Sequence, residues 1–268
     1  MKIFVNEKQL ELENGITAYE VRDNIKKNAD IVILNGFPIE KDYILREGDK
    51  LALIKKGEAP TKEELEFLLF SRHTPKVHEK VKKASVGIAG LGGLGSNVAI
   101  SLARIGIGKL VLVDFDVVEP SNLNRQQYLI KHLGMNKTEA IKETISEINP
   151  FIEVETKNEY IKEDNVLQIF KEVDIIVEAF DNAESKAVLV NTVLSKEKNK
   201  FVVAASGMAG YFSNNIIKTK KINERFYLIG DETYEAKVGC GLMAPRVAIA
   251  ANHQANTVLR IIMDEKEV

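Results

Sequence analysis

The 268-residue chain contains no tryptophan and a single cysteine, Cys240. One thiol excludes an internal disulfide and any paired Cys-x-x-Cys zinc site. Long apolar runs are missing as well: no stretch approaches the length of a membrane span, and no charged-then-apolar leader opens the chain, so a cytoplasmic protein away from the membrane is expected. An excess of one charge is also lacking. Against 39 Asp and Glu stand 37 Lys and Arg, a net charge of −2, which argues against a nucleic-acid partner. The lysine-rich stretch Lys76 to Lys83 therefore reads as a solvated helix face. His73, His78, His132 and His253 are scattered and make no metal-like cluster. What the composition does supply is 45% hydrophobic residues, enough for one large core and one small one.

Residues 86–95 read Val-Gly-Ile-Ala-Gly-Leu-Gly-Gly-Leu-Gly, and Asp114 closes the apolar run from Lys109. The pattern predicts a strand over Ser85–Ala89, a glycine turn, a helix over Ser96–Ile105 and a second strand ending in a carboxylate. Gly90, Gly92 and Gly95 fit G-x-G-x-x-G around Gly93, with the acid 19 residues after the last glycine. Glycines admit a polyphosphate close to the main chain, the helix start points amides at it, and the carboxylate accepts ribose hydroxyls. A glycine turn alone is equally a packing device. Strand, helix and acid at this distance together point to a nucleotide.

The following residues narrow the choice. Asp114-Phe-Asp116 leads into Ser121-Asn122-Leu-Asn124-Arg125-Gln126-Gln127, then to Lys137 at the start of a helix carrying Ala140, Ile141, Ile145 and Ile148. Much later an apolar run from Val173 ends in Asp181-Asn182, with Lys186 beyond. Two acids, an arginine and a lysine suit a site that splits a triphosphate, where fixed cations and magnesium offset developing charge. A nicotinamide site needs no such set. Bland readings stay open: Arg125 and Lys137 as surface charges, Asp116 as a turn former, Asp181-Asn182 as a helix cap.

Gly90 to Gln127, with Lys137 and Asp181-Asn182, resembles the sulfur-carrier adenylyltransferases of the ThiF/MoeB type, relatives of ubiquitin-activating enzymes, over roughly residues 70 to 265. The resemblance implies adenylation, by ATP with Mg²⁺, of the C-terminal glycine of a ubiquitin-like carrier. Asp114 would hold ribose. Arg125, beside Asn122 and Gln126, would bind triphosphate with Lys137, and Asp181 would place the metal. Where the family has arginine this chain has Lys186, which changes a forked contact to a point charge. The family's arginine that reaches the ATP of a partner in a homodimer has its nearest counterpart in Arg72. The family's paired-cysteine zinc is expected to be absent. Cys240 lies in the family's crossover loop, where either a reactive thiol or a small side chain buried beneath the last helix is possible; the buried reading is preferred.

The first residues form a separate unit. Lys2–Val5 and Gln9–Leu12 alternate across a turn, Thr17 caps a helix through Asn28, and Ile31 to Gly36 and Glu47 to Ile54 supply strands, which together read as a β-grasp. The unit resembles ThiS, the sulfur carrier of thiamine synthesis, but runs on without a Gly-Gly end, so it cannot itself be adenylated. The expected class is α/β: a Rossmann-like mixed, mostly parallel sheet with helices on both faces, over 85–268, preceded by the β-grasp over 1–57 and linker helices over 58–84. Thr61-Lys-Glu-Glu opens the linker with a capping-box pattern. Phe212–Thr219 and Phe226–Gly230 are predicted as antiparallel strands. Ser206, Gly207 and Gly210 before them serve either as turn residues, ranked first, or as room for the carrier's tail. The functional expectation is a ThiS adenylyltransferase of the thiamine pathway, with a tRNA-modifying relative, a carrier-binding scaffold and an NAD-dependent oxidoreductase as rivals.

Overall fold

The computed structural model describes residues 1–62, 64–65 and 77–268. The chain divides into two compact units, Met1–Pro75 and Lys76–Val268.

In the first unit, β1 (Lys2–Val5) and β2 (Lys8–Glu11) form a hairpin. Thr17 caps α1 (Ala18–Ile25) through a reciprocal capping box with Glu20. The helix stops three residues short of the expected Asn28, because Lys26 turns to φ −149° while its amide still bonds Arg22. β3 (Ile31–Leu34), β4 (Phe37–Pro38) and β5 (Lys50–Ile54) complete a sheet of order β2-β1-β5-β3-β4, in which only the β1–β5 pair is parallel. Ile3, Val5, Ala18, Val21, Val32, Leu51 and Leu53 form its core. This is the expected β-grasp. Beyond it, Thr61 and Glu64 exchange the two capping-box bonds, at 2.9 and 3.2 Å.

The second unit holds six parallel strands: β6 (Ser85–Ala89), β7 (Lys109–Val113), β8 (Glu153–Lys157), β9 (Ile175–Glu178), β10 (Phe201–Ala205) and β12 (Phe226–Gly230). Antiparallel β11 (Lys218–Asn223) adds an edge, giving the order β11-β12-β10-β9-β6-β7-β8. Alternation along each strand fixes which face is which: Leu110 and Leu112 of β7 enter one apolar cluster, Val111 and Val113 the other. The first cluster takes in α3 (Gly93–Arg104), α4 (Lys137–Ile148) and α7 (Ala244–Ile262) through Val98, Leu102, Ile141, Ile145, Val247 and Val258. The second takes in α5 (Val166–Ile169) and α6 (Ala183–Lys196) through Ile169, Leu189 and Val193. A short α2 (Val77–Val81) precedes β6. Among the described residues no helix is long and apolar enough to cross a membrane.

Strand order reverses between β6 and β9, so a crevice opens beyond their carboxyl ends, where doubly wound sheets bind ligands. One strand differs from expectation. β11 begins at Lys218 rather than Phe212, because the buried Arg246 guanidinium bonds the carbonyls of Phe212 and Ser213 at 2.6 and 2.9 Å and holds that segment in a turn. β12 is antiparallel to β11 as predicted, yet parallel to β10.

Candidate functional site

The glycine turn joins β6 to α3. Gly90 donates to the Val113 carbonyl at 2.9 Å and adopts φ +90°, open to glycine at little cost. A Cβ at Gly95 would meet the Gly90 oxygen at 1.9 Å, so this residue lets the helix start against the strand end. Gly93 lies under the side chains of Val247 and Arg125. Gly92 alone faces space: it is the N-cap of α3 without a side-chain partner, and a Cβ there would find nothing nearer than Gln126 Nε2 at 3.8 Å. The uncapped amides of the first helical turn thus point at an opening beside a glycine, which is how a helix end receives an anion.

Asp114 closes β7 nearly buried. Its two carboxylate oxygens accept the amides of Leu91 (2.6 Å) and Asp116 (2.8 Å), which ties the strand end to the glycine turn. Each oxygen keeps a further lone pair for a hydroxyl. Burial pushes this carboxyl above the usual aspartate range, opposed by the Lys137 charge and the two amides. Lys137, buried as the first residue of α4, places Nζ 2.7 Å from Asp116 Oδ2 and donates its amide to the Asp116 carbonyl.

The segment 121–128 folds back over the start of α3, fastened by side chains that the sequence reading did not single out. Asn97 donates to the carbonyls of Gly93 (2.7 Å) and Arg125 (3.3 Å) and accepts from Gln127 at 2.7 Å. Ser96 Oγ receives the Gln127 amide, and the Tyr128 hydroxyl donates to the Leu91 carbonyl at 2.8 Å. These contacts bring Arg125 over Gly93 and Gln126 beside Gly92. Arg125 Nη1 is held by Ser121 O and Asn124 Oδ1 at 3.1 and 2.8 Å, while its buried Nε and the buried Gln126 Oε1 have no partner. Asn122, nearly buried, shapes the turn by accepting the Glu119 amide at 3.0 Å.

Across the crevice, Ala179 and Phe180 pack on Gly90 and lead to Asp181, which is exposed and accepts a long 3.5 Å bond from Asn182. The N-cap of α6 is Asn182, which receives the Ser185 amide at 2.8 Å. Capping therefore falls to Asn182 and leaves Asp181 free of that role. Lys186 turns inward, reaching Glu178 Oε2 at 2.5 Å and Ala205 O at 2.6 Å. Glu178 is fully buried; burial raises its pKa, opposed by Lys186. Arg72 lies outside the described residues. The turn reading holds at Gly207 and Gly210: both have positive φ, and a Cβ on Gly207 would strike Asp231 Oδ1 at 2.3 Å. Cys240 is only half-buried, in a turn closed by Lys237 with its sulfur against Gly210, so the expected burial beneath the last helix is corrected.

Comparison with known proteins adds the family to this geometry. The ThiF family model covers residues 66–268. The chain belongs to the ThiF family. Its residues 1–57 match the ThiS-like ubiquitin model. The ThiF-family chain is 33% identical over 193 residues to the molybdopterin-synthase adenylyltransferase of Haemophilus influenzae, covering 68% of this chain and 76% of that one. It is 35% identical over 140 residues to the probable molybdopterin-synthase adenylyltransferase of Porphyra purpurea, which takes in 50% of this chain and spans only 37% of that relative's length. In fold it resembles the E. coli tRNA N6-threonylcarbamoyladenosine dehydratase solved with AMP, with TM-score 0.66 and 23% identity over 74% of this chain and 93% of that one.

Proposed function

We propose that this chain transfers AMP from ATP to the C-terminal glycine carboxylate of a ThiS-type ubiquitin-like carrier, releasing pyrophosphate, in the thiazole branch of thiamine synthesis and as a homodimer. The observation that carries this reading is the convergence of Gly92's open helix start, Asp114, Lys137, Arg125 and Gln126 at one end of the sheet. A triphosphate suits these groups. Arg125 Nε and Gln126 Oε1 are buried without partners, Gly92 leaves room, and the first-turn amides of α3 are uncapped.

Asp114 would take ribose hydroxyls on its remaining lone pairs. Arg125 and Lys137 would neutralise the departing pyrophosphate. Among the described residues no three His, Cys, Asp or Glu gather into a metal cage. Exposed Asp181, left free of the capping role by Asn182, would hold Mg²⁺, an ion that takes one or two carboxylates alongside substrate phosphates. When bound, the ion would offset charge on the phosphate oxygens. The carrier carboxylate is ionised at pH 7, so it attacks the α-phosphorus as the bond to pyrophosphate breaks, and no general base is needed. Acceleration comes from positioning and electrostatics. The β-grasp over 1–57, lacking Gly-Gly, serves as a docking or stabilising module.

Carrier-dependent ATP–pyrophosphate exchange tests the proposal. Arg125→Ala and Asp181→Ala are each expected to lose roughly 100-fold or more; near-normal exchange removes that residue from the mechanism. The similarity to molybdopterin-synthase adenylyltransferases favours a second reading, a carrier of that class. Mass spectrometry of both carrier types incubated with ATP and the protein shows which one acquires the AMP adduct.

A further inference from the structure

We propose that Arg246 and Asp231 are positioning residues for the peptide acceptor: their buried ion pair holds together the wall of the crevice on the side away from Asp114. The inference rests on the adenylation reading above. Sheet order supplies the place. Along the carboxyl edge the strand ends follow as β7 with Asp114, β6 with the glycine turn, β9 with Asp181, then β10 and β12. On that reading ribose, triphosphate and metal take up the first three, so the acceptor enters over the last two. The segments leaving those strands are residues 206–213 and 231–234.

One guanidinium joins the two segments. Arg246 lies in the first turn of α7, and its side chain and that of Asp231 are only 3% and 2% exposed. Nη1 donates to the carbonyls of Phe212 and Ser213 at 2.6 and 2.9 Å, while Nη2 donates to Asp231 Oδ2. Asp231 Oδ1 accepts the amides of Thr233 and Tyr234, each at 2.8 Å. Tyr234 closes the wall: its carbonyl accepts the amides of Met208 and Ala209, and its ring stacks on Phe212 with centroids 3.8 Å apart. Tyr211 continues the stack at 5.9 Å and is 88% exposed, so the wall ends in an aromatic face open to a partner. The next residue of α7, Val247, packs on the glycine turn, where a Cβ at Gly93 would meet its Cγ1 at 3.0 Å. The start of α7 therefore touches the wall and the phosphate turn together and sets the separation between them. A buried ion pair adds little net stability over apolar side chains of the same size. What it adds here is geometry, because a planar fork reaches three acceptors on two segments and an ammonium does not.

The test is ATP–pyrophosphate exchange by the full chain with whichever of the two carrier types takes the AMP adduct, alongside calorimetric titration with ATP. Arg246→Met alone strands Asp231 and is expected to lower the urea midpoint. Arg246→Met/Asp231→Asn removes both charges and keeps an oxygen for the Thr233 and Tyr234 amides, so the midpoint is expected to return close to the wild type. In this double variant the KM for carrier is expected to rise about 10-fold or more, with kcat and ATP affinity changed by no more than roughly twofold. Arg246→Lys, which keeps the charge and loses the fork, is expected to show the same raised carrier KM. A double variant with both the wild-type midpoint and the wild-type carrier KM overturns the inference, because the pair then serves stability alone. A loss of ATP affinity equal to the loss for carrier overturns it too. Wild-type chain that binds ATP yet gives exchange with neither carrier type brings down the adenylation reading, and this inference with it.

Discussion

A methyl group at Gly95 would sit 1.9 Å from the Gly90 oxygen, whereas one at Gly92 would meet only Gln126 Nε2 at 3.8 Å. The two glycines are therefore separable by experiment. Gly95→Ala is expected to destabilise the fold by about 3 kcal/mol, since the neighbour is backbone and cannot yield. Gly92→Ala should unfold at the wild-type denaturant midpoint yet lose ATP binding. A midpoint shift common to both variants would show that Gly92 serves packing as well. Glu178 offers a second handle. Its folded pKa is raised, so the native state holds this proton more tightly than the unfolded chain. Its contribution is fully present below 4.5 and is lost as pH rises through the window above that value. Glu178→Gln should gain on the wild type in urea stability between pH 4 and pH 7, and a difference that stays constant argues against the buried charge. Lys186→Met, which strands Glu178 without its cation, is expected to cost about 3 kcal/mol at pH 7.

At the scale of elements, the loop from Ser121 to Tyr128 acts as a strap over α3, and Asn97 is its principal fastener. Asn97→Ala should cost about 1–2 kcal/mol in stability and raise the KM for ATP more than it lowers kcat, because Arg125 loses its carbonyl anchor. An effect on kcat alone would mean that Arg125 keeps its place without the strap. This strap was illegible in the sequence, since asparagine, serine and tyrosine there gain their meaning from partners 28 to 37 residues away. The strand–turn–helix around Gly90 was legible because glycine spacing, apolar run and acid are all local. β8 escaped notice for a different reason. Its Glu-Val-Glu-Thr-Lys is a half-exposed edge strand with charges outward, which reads as a polar stretch. The turn that delays β11 likewise depends on Arg246, some thirty residues later.

Across the whole molecule, each unit has its own apolar core, with Ile3 and Leu51 almost wholly buried in the smaller one. Ile3→Ala is expected to cost the small unit about 2–4 kcal/mol. Scanning calorimetry should show that loss in one transition while the other keeps its midpoint; a matched shift of the entire trace would mean that the two cores melt as one. The ion pair between Lys137 and Asp116 carries a consequence of its own. Without nucleotide, the cradle already holds its counterion as part of the chain. On the proposed reading, an arriving triphosphate would exchange places with a carboxylate rather than claim a bare cation. The number of ion pairs at this lysine would then be the same before and after, so nucleotide affinity should fall off with added salt less steeply than the cations around the glycine turn would suggest.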